Sequence, residues 1–123
     1  VPVRELGVPS SVSSPDSSLS SCFNSSNIGT IGTESPCTGM LIVNRTMLDN
    51  AEDLSGGVDK YITHGGTNYT FGDSANNVFT GQVTDMSRLF YSETNFDASI
   101  GYWDTRNVTD MSSMFWSSNW FAT

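Results

Sequence analysis

The sequence predicts an α+β fold: a small N-terminal α/β cap followed by a short β-α solenoid of two repeats, with an extended N-terminal arm. Three observations support this prediction. The 123 residues suffice for one ordinary domain. The middle of the chain alternates short apolar runs with turn residues, and its last third contains one motif twice. We therefore divide the chain into an arm over 1–21, a disulfide-containing α+β cap over 22–77 and a two-repeat solenoid over 78–123.

The arm lacks the pattern of a packed element. Pro2 and Pro9 exclude a helix from the first nine residues and leave an extended segment with spaced apolar side chains. Residues 10–21 are mostly serine, and such a stretch cannot bury enough apolar surface to fold alone. We interpret it as a linker whose hydroxyls are candidates for O-glycosylation, namely Ser10, Ser11, Ser13, Ser14, Ser17 and Ser18.

The cap contains patterns for one helix and three strands. Residues 40–43 form an apolar run that predicts a buried strand. The apolar positions within 47–54 recur at helical spacing and predict an amphipathic helix. Two short strand patterns over 58–63 and 67–71 flank His64-Gly65-Gly66, which predicts a β-hairpin.

The two cysteines enclose a Ser/Thr/Gly-rich loop. Cys22 and Cys37 form no C-x-x-C pair, and His64 is the only histidine, so a zinc site is not expected. In an oxidising compartment the two thiols would pair, and closing a loop of about 15 residues stabilises a fold by roughly 3 kcal/mol. The alternative is two buried free thiols; we expect the disulfide.

The last third of the chain contains an internal repeat. Copy 1 (residues 83–90) returns 25 residues later as copy 2 (residues 108–115), and both begin V-T-D-M-S. Met86, Leu89 and Phe90 have the spacing of one helical face, and Asp85 is a good helix N-cap, so each copy is expected to be helical. A unit of this size cannot bury its own apolar face and has to stack on a neighbour, which predicts a solenoid.

The V-T-D-M-S-x-M-F motif and the W-D-T string before copy 2 resemble the BspA-like bacterial surface-protein repeat. The resemblance covers residues 83–121 and implies a leucine-rich-repeat-like architecture for the solenoid. It also implies an exported protein of the cell surface or extracellular space, of the kind involved in adhesion, surface coats and fibrils. No enzymatic activity is associated with this repeat.

Composition and motifs exclude several other classes of function. Lys plus Arg is 5 and Asp plus Glu is 13, and a surface of net charge −8 repels nucleic acid. No apolar run has the length of a membrane span. No catalytic motif or cofactor-binding site occurs, and no metal site is expected: residues 72–77 lack the ligand spacing of a calcium loop and indicate a plain turn. We therefore expect no enzyme and no cofactor.

Two residue sets point to glycans or to contact surfaces. Four N-x-S/T sequons occur, at Asn24, Asn44, Asn68 and Asn107; the count is near chance in so hydroxyl-rich a chain, but the first three fall in predicted surface positions. Some aromatic side chains could stack on sugars, although a core or interface role is preferred for them: Tyr91, Tyr102, Trp116 and Trp120.

The predicted function is a structural subunit of an extracellular filament or surface coat. The chain begins at Val1, which indicates a removed leader or a trimmed chain. An apolar arm and an apolar end after copy 2 would form a heterologous contact, which propagates into a helical head-to-tail polymer of the chain with itself. The residues expected to carry this assembly are Val1, Val3, Leu6, Val8, Trp116, Trp120 and Phe121. The alternative is a surface adhesin or binding module that recognises a host protein or glycan.

Overall fold

The computed structural model describes residues 20–116. Residues 1–19, which hold most of the predicted arm and its candidate glycosylation serines, and residues 117–123, which hold Trp120 and Phe121, lie outside this range. The elements, in chain order, are 3-10 helices Ser21–Phe23 and Ser25–Asn27, strand β1 Leu41–Ile42, helix α1 Arg45–Asp49, strand β2 Glu52–Leu54, 3-10 helix Ser55–Gly57, and strands β3 Asp59–His64, β4 Thr67–Thr70 and β5 Val78–Phe79.

The strands form two small sheets. Strand β1 pairs in parallel with β5, with Leu41 opposite Val78. Strands β2, β3 and β4 form an antiparallel sheet in that order. The predicted hairpin is present as β3 and β4, joined by Gly65-Gly66. Both glycines have positive φ, 58° and 83°, which a two-residue turn of this hand requires and a side chain would oppose.

Helix α1 is shorter than the sequence pattern predicts. The Asn44 side chain caps its start by accepting a hydrogen bond from the Met47 N–H at 2.9 Å. The helix ends at Asp49, and Leu54, predicted on the same stripe, lies in β2 instead. Pairing of Leu54 with Asp59 in β3 outweighs the helical spacing, because the last residues of a short helix gain little from helix propagation.

An aromatic-rich core joins the predicted cap over 22–77 to the predicted solenoid over 78–123. Phe71, at the end of β4, packs edge-on against Trp103, with ring centroids 5.5 Å apart. The Trp103 indole N–H donates to the Phe71 carbonyl at 3.0 Å, which satisfies the ring's one polar group in a buried position. Copy 1 contributes Met86 and Phe90 to the same cluster, both fully buried.

The predicted β-α solenoid is wrong, because neither copy is helical. Arg88 and Ser113 occupy equivalent positions and have φ values of 58° and 56°, in the left-handed region that ends a right-handed helix. The carboxylates of Asp85 and Asp110 each accept a hydrogen bond from the N–H two residues ahead, at 2.9 Å, forming turns rather than capping helices.

Backbone groups of copy 1 bond to copy 2 instead of to their own chain segment. The alternate N–H groups donate to copy 2 carbonyls, as Met86 to Asp110 at 2.8 Å, Arg88 to Ser112 at 3.0 Å and Phe90 to Met114 at 2.8 Å. Those N–H groups are therefore not available for helical hydrogen bonds. Over residues 20–116 the protein is a small fold of strands and turns with one α-helix, and the N-terminal part is not an α/β cap.

A glycine substitution distinguishes a turn from a helix in copy 2. Ser113→Gly removes a left-handed side chain costing about 1–2 kcal/mol, against about 0.5–1 kcal/mol for the greater freedom of the unfolded glycine. We expect a gain of about 0.5 kcal/mol in the free energy of unfolding, measured by urea titration. The matched control Ser112→Gly, at an exposed position without positive φ, should lose stability. A loss in both variants would contradict the turn.

Candidate functional site

The two copies differ in how deeply they bury the same motif positions. Val83, Met86 and Phe90 of copy 1 are buried, whereas their equivalents in copy 2 are only partly buried: Val108, Met111 and Phe115. Copy 1 has copy 2 on one side and the rest of the core on the other. Copy 2 has copy 1 on one side, and within residues 20–116 its other side is open.

At one pair of equivalent positions the residue in copy 2 is more deeply buried than the residue in copy 1. Met114 in copy 2 is buried, while its equivalent Leu89 in copy 1 is only partly buried. Val108, Met111 and Phe115 are therefore less buried than their equivalents in copy 1, but this is not true of every side chain of copy 2.

Two aromatic pairs align the copies. Phe90 and Phe115 stack with centroids 5.4 Å apart, and Tyr91 and Trp116, the next residues, stack at 4.9 Å with a 10° interplanar angle. Tyr91 is 40% exposed and Trp116 is 54% exposed. The Arg88 guanidinium lies 5.3 Å from the Tyr91 centroid, within cation–π range. The predicted contact residue Trp116 thus lies on the surface as part of a flat aromatic pair.

The side of copy 1 that faces away from copy 2 is covered by Arg45 of α1. Its guanidinium donates to the Asp85 carbonyl at 3.2 Å and lies 3.7 Å from the Asp85 carboxylate. Hydrogen bonds from the Ser87 hydroxyl and N–H, with the attraction of Arg45, lower the pKa of Asp85 below its ordinary value of 3.8. Arg45 therefore closes one edge of the paired copies.

The disulfide loop is tied to the entrance of copy 1. Cys22 and Cys37 are joined, as predicted, in a fully buried disulfide with Cα atoms 5.9 Å apart. The Gln82 side-chain amide donates to the carbonyls of Cys22 at 2.7 Å and Asn24 at 2.9 Å. These bonds connect residues far apart in the chain, so the loop is part of the fold that supports the copies.

Asn107 has the same structural role as Gln82, to which it is equivalent in the repeat. Its Nδ2 donates to the Gly81 carbonyl at 2.8 Å, which joins copy 2 to the segment before copy 1. The sequence pattern shows Asn107 only as a sequon. The signal that could have revealed its structural role was the amide at the equivalent position of both copies.

The other three sequons leave Nδ2, the atom that carries an N-linked glycan, without a hydrogen bond in the described part of the chain. Their side-chain oxygens accept from Ser26 N–H at Asn24, from Met47 N–H at Asn44 and from the Thr63 hydroxyl at Asn68. Asn24 and Asn68 are exposed, and Asn44 is half-buried. These positions are compatible with the attachment of glycans.

Other sequence candidates have structural roles. Tyr102 is partly buried against the core and donates its hydroxyl hydrogen to the Phe71 carbonyl at 2.7 Å, and burial raises its pKa. His64 lies exposed at the end of β3. Within residues 20–116 no three acidic, histidine or cysteine side chains group as metal ligands, and no helix has the length and apolar character of a membrane span.

Acid should weaken the interactions that the Asp85 carboxylate makes with Ser87 and Arg45. A carboxylate whose folded pKa is lowered stabilises the fold above its unfolded pKa, and this contribution is lost as pH falls through the lower folded value. The difference in melting temperature between the parent protein and Asp85→Asn should be largest above about pH 4 and vanish at lower pH. Asp97→Asn, at an exposed carboxylate, is the control. A difference that is independent of pH would contradict this role.

Removing the Asn107 side-chain amide should destabilise the fold, because this amide joins copy 2 to the segment before copy 1. Asn107→Ala deletes the bond to Gly81, and we expect a loss of about 1 kcal/mol in the free energy of unfolding, measured by chemical denaturation. Asn68→Ala, at another sequon on the exposed hairpin, should change stability by less than about 0.5 kcal/mol. Equal losses at both sites would show that the Asn107 bond is not special.

Comparison with known proteins gives one match. Residues 64–123, just under half of the chain, match the model of a family described as a Mycoplasma protein of unknown function, DUF285. The comparisons with curated proteins and with solved structures found no match. The finer resemblance to BspA-like surface proteins is not confirmed. The part of the chain that holds β4, β5 and both copies is therefore similar to DUF285.

Proposed function

We propose that the protein is a structural subunit of an extracellular filament or surface coat, which assembles head-to-tail and donates residues 1–9 to a neighbouring subunit. The observation that carries this proposal is the unequal burial of the two copies. The motif positions that are buried in copy 1 remain partly exposed in copy 2, at Val108 and Met111, and Trp116 lies open beside them. A neighbouring subunit would give copy 2 the cover that copy 1 already has.

An extracellular location is supported by chemistry and by similarity. The buried Cys22–Cys37 disulfide is stable in oxidising compartments and rare in reducing ones. The repeat motif resembles surface-protein repeats, and the DUF285 match covers the same part of the chain. Glycans on the accessible sequons and on the serines of residues 10–18 belong to this proposal. They would add to the solubility of a surface coat.

The donated segment has enough apolar surface to drive association. Burying Val1, Val3, Leu6 and Val8 contributes roughly 6–12 kcal/mol before the entropy of association is subtracted, at about 1.5–3 kcal/mol for each side chain. These residues lie outside the described range. The net charge of −8 opposes contact between subunits, so added salt should favour assembly.

A second candidate function is supported by the exposed aromatic pair. Tyr91 and Trp116 present a flat surface beside the Arg88 guanidinium, an arrangement that suits the faces of sugar rings or an aromatic contact with a host protein. This is the adhesin or binding-module alternative. It predicts a monomer that binds its target through these two rings.

Size in solution tests the two functions against each other. Analytical ultracentrifugation of the full chain over a concentration series should show species much larger than the 13.3 kDa chain, and deletion of residues 1–9 should leave a folded monomer slightly lighter than that mass. Trp116→Glu should reduce assembly at least about tenfold, because it places a charge in the contact. Val58→Glu is the matched control, since Val58 is also an exposed apolar residue but belongs to neither copy.

Two results would overturn the proposal. A full chain that stays monomeric at all concentrations and salt levels excludes a filament subunit, and retention on a glycan array would then support the binding module. A deletion variant that assembles like the full chain excludes donation of residues 1–9.

A further inference from the structure

Copy 2 has an open backbone edge. In copy 1 the N–H groups of Met86 and Arg88 donate to copy 2, and the Thr84 carbonyl accepts from Thr109 N–H at 2.7 Å. The equivalent groups of copy 2 are the N–H groups of Met111 and Ser113 and the carbonyl of Thr109. Within residues 20–116 none of these three groups has a backbone or side-chain partner.

The open edge and the closed edge are chemically different. On copy 1, Arg45 already occupies the Asp85 carbonyl at the edge opposite copy 2. A second molecule can therefore place its copy 1 against copy 2, in the way that the two copies pair within one chain, only after the Arg45 side chain leaves the Asp85 carbonyl. The open edge instead fits an extended segment that brings two carbonyls, two residues apart, to Met111 and Ser113.

We propose that the edge over residues 109–113 is the acceptor site for residues 1–9 of a second copy of this chain, an inference that rests on the proposed function. The segment adds its backbone beside copy 2 in the direction in which copy 1 and copy 2 pair. Its apolar side chains cover the partly buried Val108 and Met111.

The charge and sequence of residues 1–9 favour this segment as the occupant over other segments of the chain. Residues 1–9 contain one Arg and one Glu, so the whole net charge of −8 lies elsewhere, and this segment approaches an acidic neighbour without net repulsion. Pro2 and Pro9 lack an N–H but keep their carbonyls. An edge that offers mainly N–H donors needs carbonyl acceptors, so the prolines do not impair the pairing.

Amide hydrogen exchange of the full chain locates the contact. In dilute monomer the Met111 and Ser113 amides should exchange rapidly, and in assembled material they should exchange at least about 100-fold more slowly. The Met86 and Arg88 amides are internal controls, protected in both states. Assembly that leaves Met111 and Ser113 unprotected overturns the acceptor site but not the filament, whereas absence of assembly overturns both. Protection of both amides already in the monomer would also overturn the site, because the chain's own residues would then occupy it.

A peptide competition identifies the occupant. A synthetic peptide of residues 1–9, in excess over the full chain, should cap the edges and reduce the mean size of the assemblies at least about fivefold. A peptide of the same composition in scrambled order should have no such effect. Equal inhibition by both peptides, or by neither, would overturn the assignment of residues 1–9 as occupant.

Discussion

Alternate N–H groups of copy 1 donate to carbonyls of copy 2, and this backbone pairing determines how the second half of the protein is built. Because Met86, Arg88 and Phe90 donate across to the neighbouring copy, the residues between them close local turns instead. The pairing also sets the register of the side chains, so that Phe90 stacks on Phe115 and Tyr91 on Trp116. A shift by one residue would place these rings against polar neighbours and expose the core.

A buried side-chain hydroxyl takes the place of a backbone group in the contact that precedes the two paired copies. Thr80, just after β5, donates its Oγ1 hydrogen to the Asp104 carbonyl at 3.0 Å and accepts from the Asp104 N–H at 2.9 Å. The side chain thereby replaces a peptide group in the contact between β5 and the segment after Trp103. Together with the Trp103 bond to the Phe71 carbonyl, it joins the hairpin, the parallel pair and the repeats into one core.

Strands β1, β3 and β4, the disulfide and the repeat register could be predicted from sequence, but strands β2 and β5 and the local conformation of the repeats could not. Met86 and Phe90 are buried and lie four residues apart, a spacing that one face of a helix also has, so the sequence pattern does not distinguish this turn ladder from a helix. Left-handed backbone at Arg88 and Ser113 carries no glycine or asparagine signal. The Asp-x-Ser spacing within each copy was the available sign of a turn.

The sequence predicted only part of the candidate site. Trp116 was predicted as a contact residue because it belongs to the apolar end after copy 2. Arg45 was not predicted, because its contact with Asp85 joins positions 40 residues apart. Asn107 has both a glycosylation motif and a structural hydrogen bond, and only the motif is visible in the chain.

The contact between Arg45 and the Asp85 carbonyl also gives the molecule a direction. One edge of the paired copies is sealed by a charged side chain of the same chain, and the other presents unpaired donors. In the filament that we propose, the two ends would therefore differ in chemistry, and a new subunit would meet a different surface at each end. Growth rate, attachment to a cell and attack by proteases would then be properties of one end rather than of the whole fibre.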